Sequence, residues 1–273
     1  MKKNCLILCL LVSSFAFSET PKVAVGLPAI DYLVRAIGGD KLEVTSLLTP
    51  SDEPHSFSAS PSLLKQLKGS RLFFSCNLRF EREISKRLVE LFEGVEVINL
   101  EEVIPAHFRQ QDPHIWLSIV NLTKMSVLIK DSLIKRFPLH KESYLQNYEK
   151  LTKVLNSADQ EIASSLLGYK SKTFFVHHPA FGYFALDYGL NQFAVEVEGK
   201  SPSPRQLLKL ITLAKERNVK LIMVQPQFNQ KPATLIAKRI DGVVFSANPM
   251  TANPVELLKE AALSVVNAYK EDK

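Results

Sequence analysis

Cysteine is scarce in this sequence. The chain of 273 residues has three cysteines, and two of them, Cys5 and Cys9, fall inside an N-terminal segment with the features of a secretory signal peptide. Lys2 and Lys3 give that segment its basic start, and an apolar stretch follows. Once the segment is removed, Cys76 is the only thiol left, so we expect no internal disulfide and a stability that depends on packing.

A long apolar run is also missing. The apolar stretch of the N-terminal segment is shorter than the roughly 18 to 20 residues that cross a bilayer, and no second run of this kind follows. Leu8 stands before Cys9, where lipid attachment would need a small residue. We therefore expect a signal peptide over residues 1–18, cleavage near Ser18/Glu19, and export to the periplasm.

Charge is not concentrated in one place. The net charge of +6 at pH 7 comes from lysines and arginines scattered along helical patterns, without the basic stripe and stacking aromatics that nucleic-acid binding requires. The apolar content of 46% is enough to fill the cores of two α/β domains. We expect a globular monomer that binds no nucleic acid.

Short apolar runs alternate with helical patterns along the mature chain, which is typical of βα units around a mainly parallel sheet. Helices are predicted to begin at Ser60-Pro61, Ser203-Pro204 and Asn253-Pro254. Between two groups of strands, residues 138–168 have the period of one amphipathic helix. The predicted strands are 22–27, 42–48, 71–75, 96–100, 173–176, 193–197, 221–224 and 243–245.

This pattern predicts an α/β fold with two Rossmann-like lobes joined by one long rigid helix. We place an N-terminal lobe at 19–137, a linking helix at 138–168 and a C-terminal lobe at 169–273. In open α/β sheets, ligands bind beyond the carboxyl ends of the strands. The loops that follow the strands are therefore the first place to search for a site.

The six histidines are few enough to consider one at a time. His55 and His178 follow predicted strands and His114 precedes a predicted helix, so all three lie on loops. Imidazole suits zinc, copper, nickel and iron, and three converging histidines with an open fourth position would form a tetrahedral zinc site. Their spacing resembles no local zinc motif, and convergence does not follow from the sequence alone.

Four segments stand out along the mature chain. They are Glu53-Pro54-His55, Asp112-Pro113-His114-Ile115-Trp116-Leu117, His178-Pro179-Ala180-Phe181-Gly182-Tyr183 and Pro202-Ser203-Pro204-Arg205-Gln206-Leu207. In order and spacing they resemble the signature segments of the metal-binding solute-binding proteins of ABC importers, of the zinc/manganese type. The resemblance implies a metal ion in the cleft between two α/β lobes, and delivery of that ion to a permease in the cytoplasmic membrane.

The resemblance also implies a ligand set. The family's ligand histidines fall on His55, His114 and His178, and the third is a histidine in zinc-binding relatives but a glutamate in manganese-binding ones. We therefore expect Zn²⁺, with Mn²⁺ or iron as the alternative in the same role. The family's fourth ligand is often an aspartate, which falls on Asn248 here. Asn248, Glu53 or water is the possible fourth ligand.

Two other functions compete with this one. A zinc-dependent hydrolase would need a general base, for which Glu53 is a candidate, but no oxyanion-hole or nucleophile motif is found and we expect no enzyme. A surface adhesin is disfavoured because no lipid-attachment cysteine is present. The other histidines have minor predicted roles: His177 packs in the core or supports a ligand from behind, His140 is exposed, and His107 is a solvated loop residue. The histidine-rich loop of zinc-binding relatives is therefore absent or vestigial here.

Overall fold

The computed structural model describes residues 20–106, 112–196 and 200–270. The predicted signal peptide and His107 lie outside the described residues. The first lobe contains strands β1 (Lys22–Val25), β2 (Glu43–Ser46), β3 (Leu72–Ser75) and β4 (Glu96–Asn99), with helices α1 (Pro28–Gly38), α2 (Pro61–Gln66), α3 (Arg79–Leu91) and α4 (Ile119–Arg136). Helix α5 (Lys141–Leu166) leads to the second lobe.

The second lobe repeats this plan with strands β5 (Thr173–Val176), β6 (Asn191–Ala194), β7 (Leu221–Val224) and β8 (Val243–Ser246), and with helices α6 (Gly182–Tyr188), α7 (Pro204–Glu216), α8 (Lys231–Arg239) and α9 (Pro254–Tyr269). All pairings within both sheets are parallel. The strand orders are β2-β1-β3-β4 and β6-β5-β7-β8. The predicted fold class, two α/β lobes joined by a long helix, is confirmed.

The predicted helix starts are also confirmed. Ser60 Oγ accepts a hydrogen bond from the Leu63 amide, and Ser203 Oγ accepts one from the Gln206 amide. Asn253 Oδ1 accepts one from the backbone N–H of Glu256 at the start of α9. In each case a proline follows the capping residue, where its missing N–H costs no hydrogen bond.

One strand prediction is displaced. The apolar run suggested a strand at 193–197, whereas β6 begins at Asn191 and ends at Ala194. The polar Asn191 and Gln192 join the strand because β6 is at the edge of its sheet, and Asn191 donates to the carbonyl of Lys172 to start the pairing. Apolar content therefore located this strand but did not define its start.

Helix α5 packs on both lobes. It contacts α1 and α4 of the first lobe and α9 of the second. A short 3₁₀ turn lies at each of its ends, Pro138–His140 and Leu167–Tyr169. Its apolar stripe is buried along its whole length, so the lobes share one core at this helix. The buried residues are Tyr144, Leu151, Leu155, Ala158, Ile162 and Leu166.

The exact lobe boundaries at 19–137, 138–168 and 169–273 stay a prediction. Across the three stretches of chain that the structure describes, no helix has the length and apolar character needed to span a membrane.

A buried carboxylic acid lies at the carboxyl edge of the first sheet. Glu81 in α3 is fully buried, and its Oε2 accepts a hydrogen bond from the Leu78 amide at 2.8 Å. Its other oxygen packs against Gly26 so closely that a Cβ at that glycine would lie 1.7 Å from Oε1. Burial raises the pKa of Glu81 to about 7, and the charge of Glu101 acts in the same direction.

Candidate metal centre

Three histidines meet between the two lobes. His55 lies on the loop between β2 and α2, His114 on the segment before α4, and His178 just after β5. Each offers one ring nitrogen, and these atoms all lie within 4.8 Å of one another. No other such group of three or more histidine, cysteine or acidic side chains occurs among the described residues. The predicted ligands therefore converge, although their role as ligands stays a prediction.

The nitrogen positions suit a tetrahedral ion. Nε2 of His178 lies 3.2 Å from Nε2 of His114. Two nitrogens that are each about 2.0 to 2.1 Å from a tetrahedral zinc ion lie roughly 3.3 Å apart. The ring of His178 is inclined by 73° to that of His55 and by 79° to that of His114, so the rings meet edge to face and do not stack.

Two of the rings are held by carboxylates on the side away from the cluster. Nδ1 of His178 lies 2.8 Å from Oε1 of Glu196, and Nδ1 of His114 lies 2.7 Å from Oδ1 of Asp112. An ionised carboxylate can only accept, so Nδ1 of each ring carries a proton, and in a neutral ring of this tautomer Nε2 keeps its lone pair. This is the tautomer that binds a metal ion through Nε2.

The environment of His178 favours the neutral ring. Burial lowers the pKa of His178 and the adjacent His114 lowers it further, whereas the hydrogen bond to Glu196 acts against both. Metal binding requires an unprotonated nitrogen. The His178 ring is therefore ready to bind a cation at neutral pH without first losing a proton.

The peptide of His178 is fixed from the neighbouring strand. Gln225, buried just after β7, donates from Nε2 to the carbonyl of His178 at 2.9 Å and accepts from its amide at 3.2 Å. An ionised glutamate at position 225 could accept but not donate. The side-chain amide of Gln225 therefore pairs with both the backbone N–H and the backbone carbonyl of His178.

The two candidates for the fourth ligand are placed differently. Glu53 lines the same small cavity as the three histidines, but its carboxylate is not part of their cluster and accepts from the amide of His55 at 2.8 Å. Asn248 does not line that cavity. Its Oδ1 already accepts from Nε2 of Gln227 at 2.7 Å and from the amide of Met250 at 3.0 Å.

The remaining aromatic residues support the site. Trp116 is buried and lines the cavity beside His114, and Phe181 belongs to the core. His177 is buried with its ring against Phe228, 5.1 Å between centroids, as expected of a packing residue. His140 is partly buried, and its ring lies 5.9 Å from that of Tyr144, so the expectation that it is exposed is corrected.

Asp112 and Glu196, which hold the rings of His114 and His178, are the site residues that the sequence did not reveal. Asp112 had a local signal, because an aspartate two residues before His114 can accept from both its amide and its ring, at 2.9 and 2.7 Å. Glu196 had a topological signal. The register of β5 and β6 pairs Val176 with Ala194, which places Glu196 opposite His178 two residues beyond.

The sequence model of the periplasmic zinc-uptake complex component A, ZnuA, matches residues 23–267. The chain belongs to this family. Like the other members it is a metal-binding solute-binding protein of ABC importers, a class of transport components without catalysis. Proteins of the family are periplasmic or are lipoproteins anchored to a membrane.

Individual relatives agree with this membership. A putative metal-binding protein of Chlamydia trachomatis is 25% identical over 242 residues, which cover 87% of this chain and 86% of that protein. The zinc-binding protein AdcA of Streptococcus pyogenes is 25% identical, and the match covers 98% of this chain but 59% of AdcA. A crystal structure of ZnuA superposes with a TM-score of 0.85 at 29% identity, covering 92% of this chain and 99% of that one.

Proposed function

We propose that this protein captures one zinc ion with His55, His114 and His178 and delivers it to the permease of an ABC importer. The observation that carries the proposal is the pair of Nε2 atoms of His114 and His178, 3.2 Å apart, whose opposite nitrogens face carboxylates. Both Nε2 atoms then direct lone pairs at the same space. A metal cation bound by both nitrogens would satisfy such a pair, and His55 supplies the third ligand.

Zinc is the ion that fits this donor set best. Three neutral imidazoles form a borderline-soft site, whereas manganese favours oxygen ligands. No carboxylate belongs to the cluster in the described part of the chain. The matches to zinc-uptake component A and to zinc-binding AdcA support the same ion. We therefore assign zinc as the transported ion, in preference to manganese or iron.

A competition titration tests the choice of metal. We expect the purified protein, stripped with a chelator and titrated at pH 7.5, to bind zinc at least about tenfold more tightly than manganese, because imidazole donors follow the Irving–Williams order. Equal or tighter binding of manganese would contradict the assignment and would favour a ligand set with more oxygen.

We assign no catalytic role to the site, and we assign the fourth position to water. Glu53 is occupied with the His55 amide. We expect Glu53→Gln to change zinc affinity by less than about threefold, because it removes a charge near the ion without removing a ligand. A loss of about tenfold or more in a chelator competition would instead identify Glu53 as the fourth ligand.

The carboxylates behind the rings contribute through the histidines. We expect Glu196→Gln to weaken zinc binding about tenfold, because the amide keeps an acceptor oxygen but loses the charge that polarises the His178 ring. Chelator competition measures the effect, with Glu216→Gln, an exposed change at the end of α7, as the matched control. Equal zinc affinity of Glu196→Gln and the wild type would show that Glu196 does not contribute to zinc binding.

The proposed function includes export of the protein to the periplasm. The mature protein begins near Glu19, acts in the periplasm as a monomer and binds no nucleic acid. The N-terminal sequence of the exported protein tests the cleavage position. A protein that retains residues 1–18 after export would contradict the predicted signal peptide.

A further inference from the structure

A single carbonyl of the first lobe receives two hydrogen bonds from the second lobe. The carbonyl of Pro50 accepts from Nδ2 of Asn248 at 3.0 Å and from Nε2 of Gln227 at 3.2 Å. Pro50 lies on the loop that carries His55, five positions before it, whereas Asn248 and Gln227 follow β8 and β7. These hydrogen bonds therefore connect the His55 loop of the first lobe to the loops that follow β7 and β8 in the second lobe.

The orientation of the Asn248 amide is fixed by its other partners. Oδ1 of Asn248 accepts from the amide of Met250 at 3.0 Å and from Nε2 of Gln227 at 2.7 Å. A backbone N–H can only donate, so the oxygen of the side chain must face Met250. The NH₂ group is then directed at the Pro50 carbonyl. An aspartate in its place could accept from Met250 but, when ionised, could not donate to Pro50.

The same turn also holds the segment that carries His114. Nε1 of Trp116 donates to the carbonyl of Pro249 at 2.8 Å, and the Trp116 side chain is buried. The turn at 248–250 is thus hydrogen-bonded to the first lobe at two places. One is Trp116, close to His114, and the other is Pro50, on the loop that carries His55. None of the groups in these contacts is charged, and none is one of the proposed metal ligands.

We propose that Asn248, Gln227 and the Pro50 carbonyl form an interlobe amide clasp that keeps the His55 loop against the second lobe in the absence of metal. Asn248 stands at the position where the aspartate ligand often found in the resembling family falls. Here the residue is a positioning residue, because it holds the loop by hydrogen bonds and leaves the ion to the histidines. The importance of the clasp for zinc rests on the proposed function, whereas its action on the lobes does not.

A preformed site follows from the clasp. Binding that must first order a loop loses part of its free energy to that ordering. If the loop is already held by neutral hydrogen bonds, the ion meets His55, His114 and His178 close to their bound positions. Release to the permease then requires the clasp to open, and the exposed Pro50 loop is the part of it that a partner can reach.

The single tryptophan of the chain reports on the clasp directly. Trp116 lies at the interlobe contact, so its fluorescence measures the contact without any label. In protein freed of metal by a chelator, we expect Asn248→Asp to increase quenching of Trp116 by acrylamide about twofold, because loss of the Pro50 bond lets the lobes separate locally. Asn253→Asp is the matched control: it makes the same change five residues on, where the side chain caps α9 and a carboxylate caps equally well.

Two further variants distinguish loss of the clasp from a folding defect. Asn248→Ala removes the donor without adding a charge, and Gln227→Glu removes the other donor to Pro50. Both are expected to raise quenching of the metal-free protein, with far-UV circular dichroism unchanged. Wild-type quenching in folded Asn248→Ala and Gln227→Glu would overturn the clasp.

Zinc titration of the same proteins separates the two proposals. We expect Asn248→Ala to bind zinc about fivefold more weakly than the wild type, consistent with the loss of one hydrogen bond that positions the loop. A wild-type protein that binds no zinc would refute the proposed function while leaving the quenching result intact. Unchanged quenching with normal zinc binding would refute the clasp alone.

Discussion

His178→Ala is expected to weaken zinc binding by about a thousandfold or more, because it removes one of three neutral nitrogen ligands from a divalent ion. His178 is also the only proposed ligand that the second lobe contributes. Its loss therefore detaches the ion from that lobe as well as reducing the number of donors. A chelator competition at pH 7.5 measures the change, and His55→Ala and His114→Ala should show losses of a similar kind.

His140→Ala is the matched control for these variants. His140 lies in the 3₁₀ turn before α5, where its ring contacts Tyr144 and no member of the cluster. The same substitution there should leave zinc affinity unchanged. Full affinity in His178→Ala would exclude this residue as a ligand, and a large loss in His140→Ala would show that the assay reports on stability and not on the site.

Glu81→Gln is expected to stabilise the metal-free protein at high pH and not at low pH. The pKa of Glu81 is raised from 4.5 to about 7 in the folded protein, chiefly by burial. Between these two pH values the unfolded chain loses its proton and the folded protein keeps it. The free energy of unfolding therefore falls as pH rises from 4.5 to about 7. A shift of this size corresponds to roughly 3 kcal/mol as an upper bound.

Urea unfolding at pH 5 and pH 8 in the presence of a chelator measures this effect. Glutamine keeps an oxygen for the Leu78 amide and cannot ionise, so the variant should gain stability over the wild type at pH 8 alone. Glu83→Gln, an exposed change two positions along α3, is the control and should follow the wild type at both values. Parallel pH dependence of Glu81→Gln and the wild type would show that Glu81 does not titrate in this range.

Much of the fold could be predicted because burial in the core determines where apolar residues fall along the chain. Strands such as β5 and β7 are buried at every position, and a fully buried strand needs an uninterrupted apolar run. The edge strand β6 obeys this rule less closely, since half of its residues are polar. The predicted start of β6 was therefore wrong. Without the correct start, the strand pairing that brings Glu196 next to His178 could not be predicted.

His55, His114 and His178 were candidates because each stands next to a strand end or a helix start, but only the family resemblance singled them out as ligands. The partners that hold them are harder to foresee. Gln225 acts on His178 across neighbouring strands, and Asn248 meets Pro50 from 198 positions away. Such contacts depend on how the two lobes are docked, and neither composition nor periodicity carries that information. An asparagine at position 248 indicated a departure from the family's aspartate. It did not indicate the hydrogen bonds that Asn248 makes instead.

The metal content of the protein purified without added metal shows whether the three histidines hold zinc. We predict about one zinc per chain by elemental analysis, with little manganese or iron, as expected of one three-histidine site. The triple variant His55→Ala, His114→Ala and His178→Ala, purified in parallel, should contain none. Manganese or iron in place of zinc, or zinc retained by the triple variant, would show that these histidines do not hold zinc.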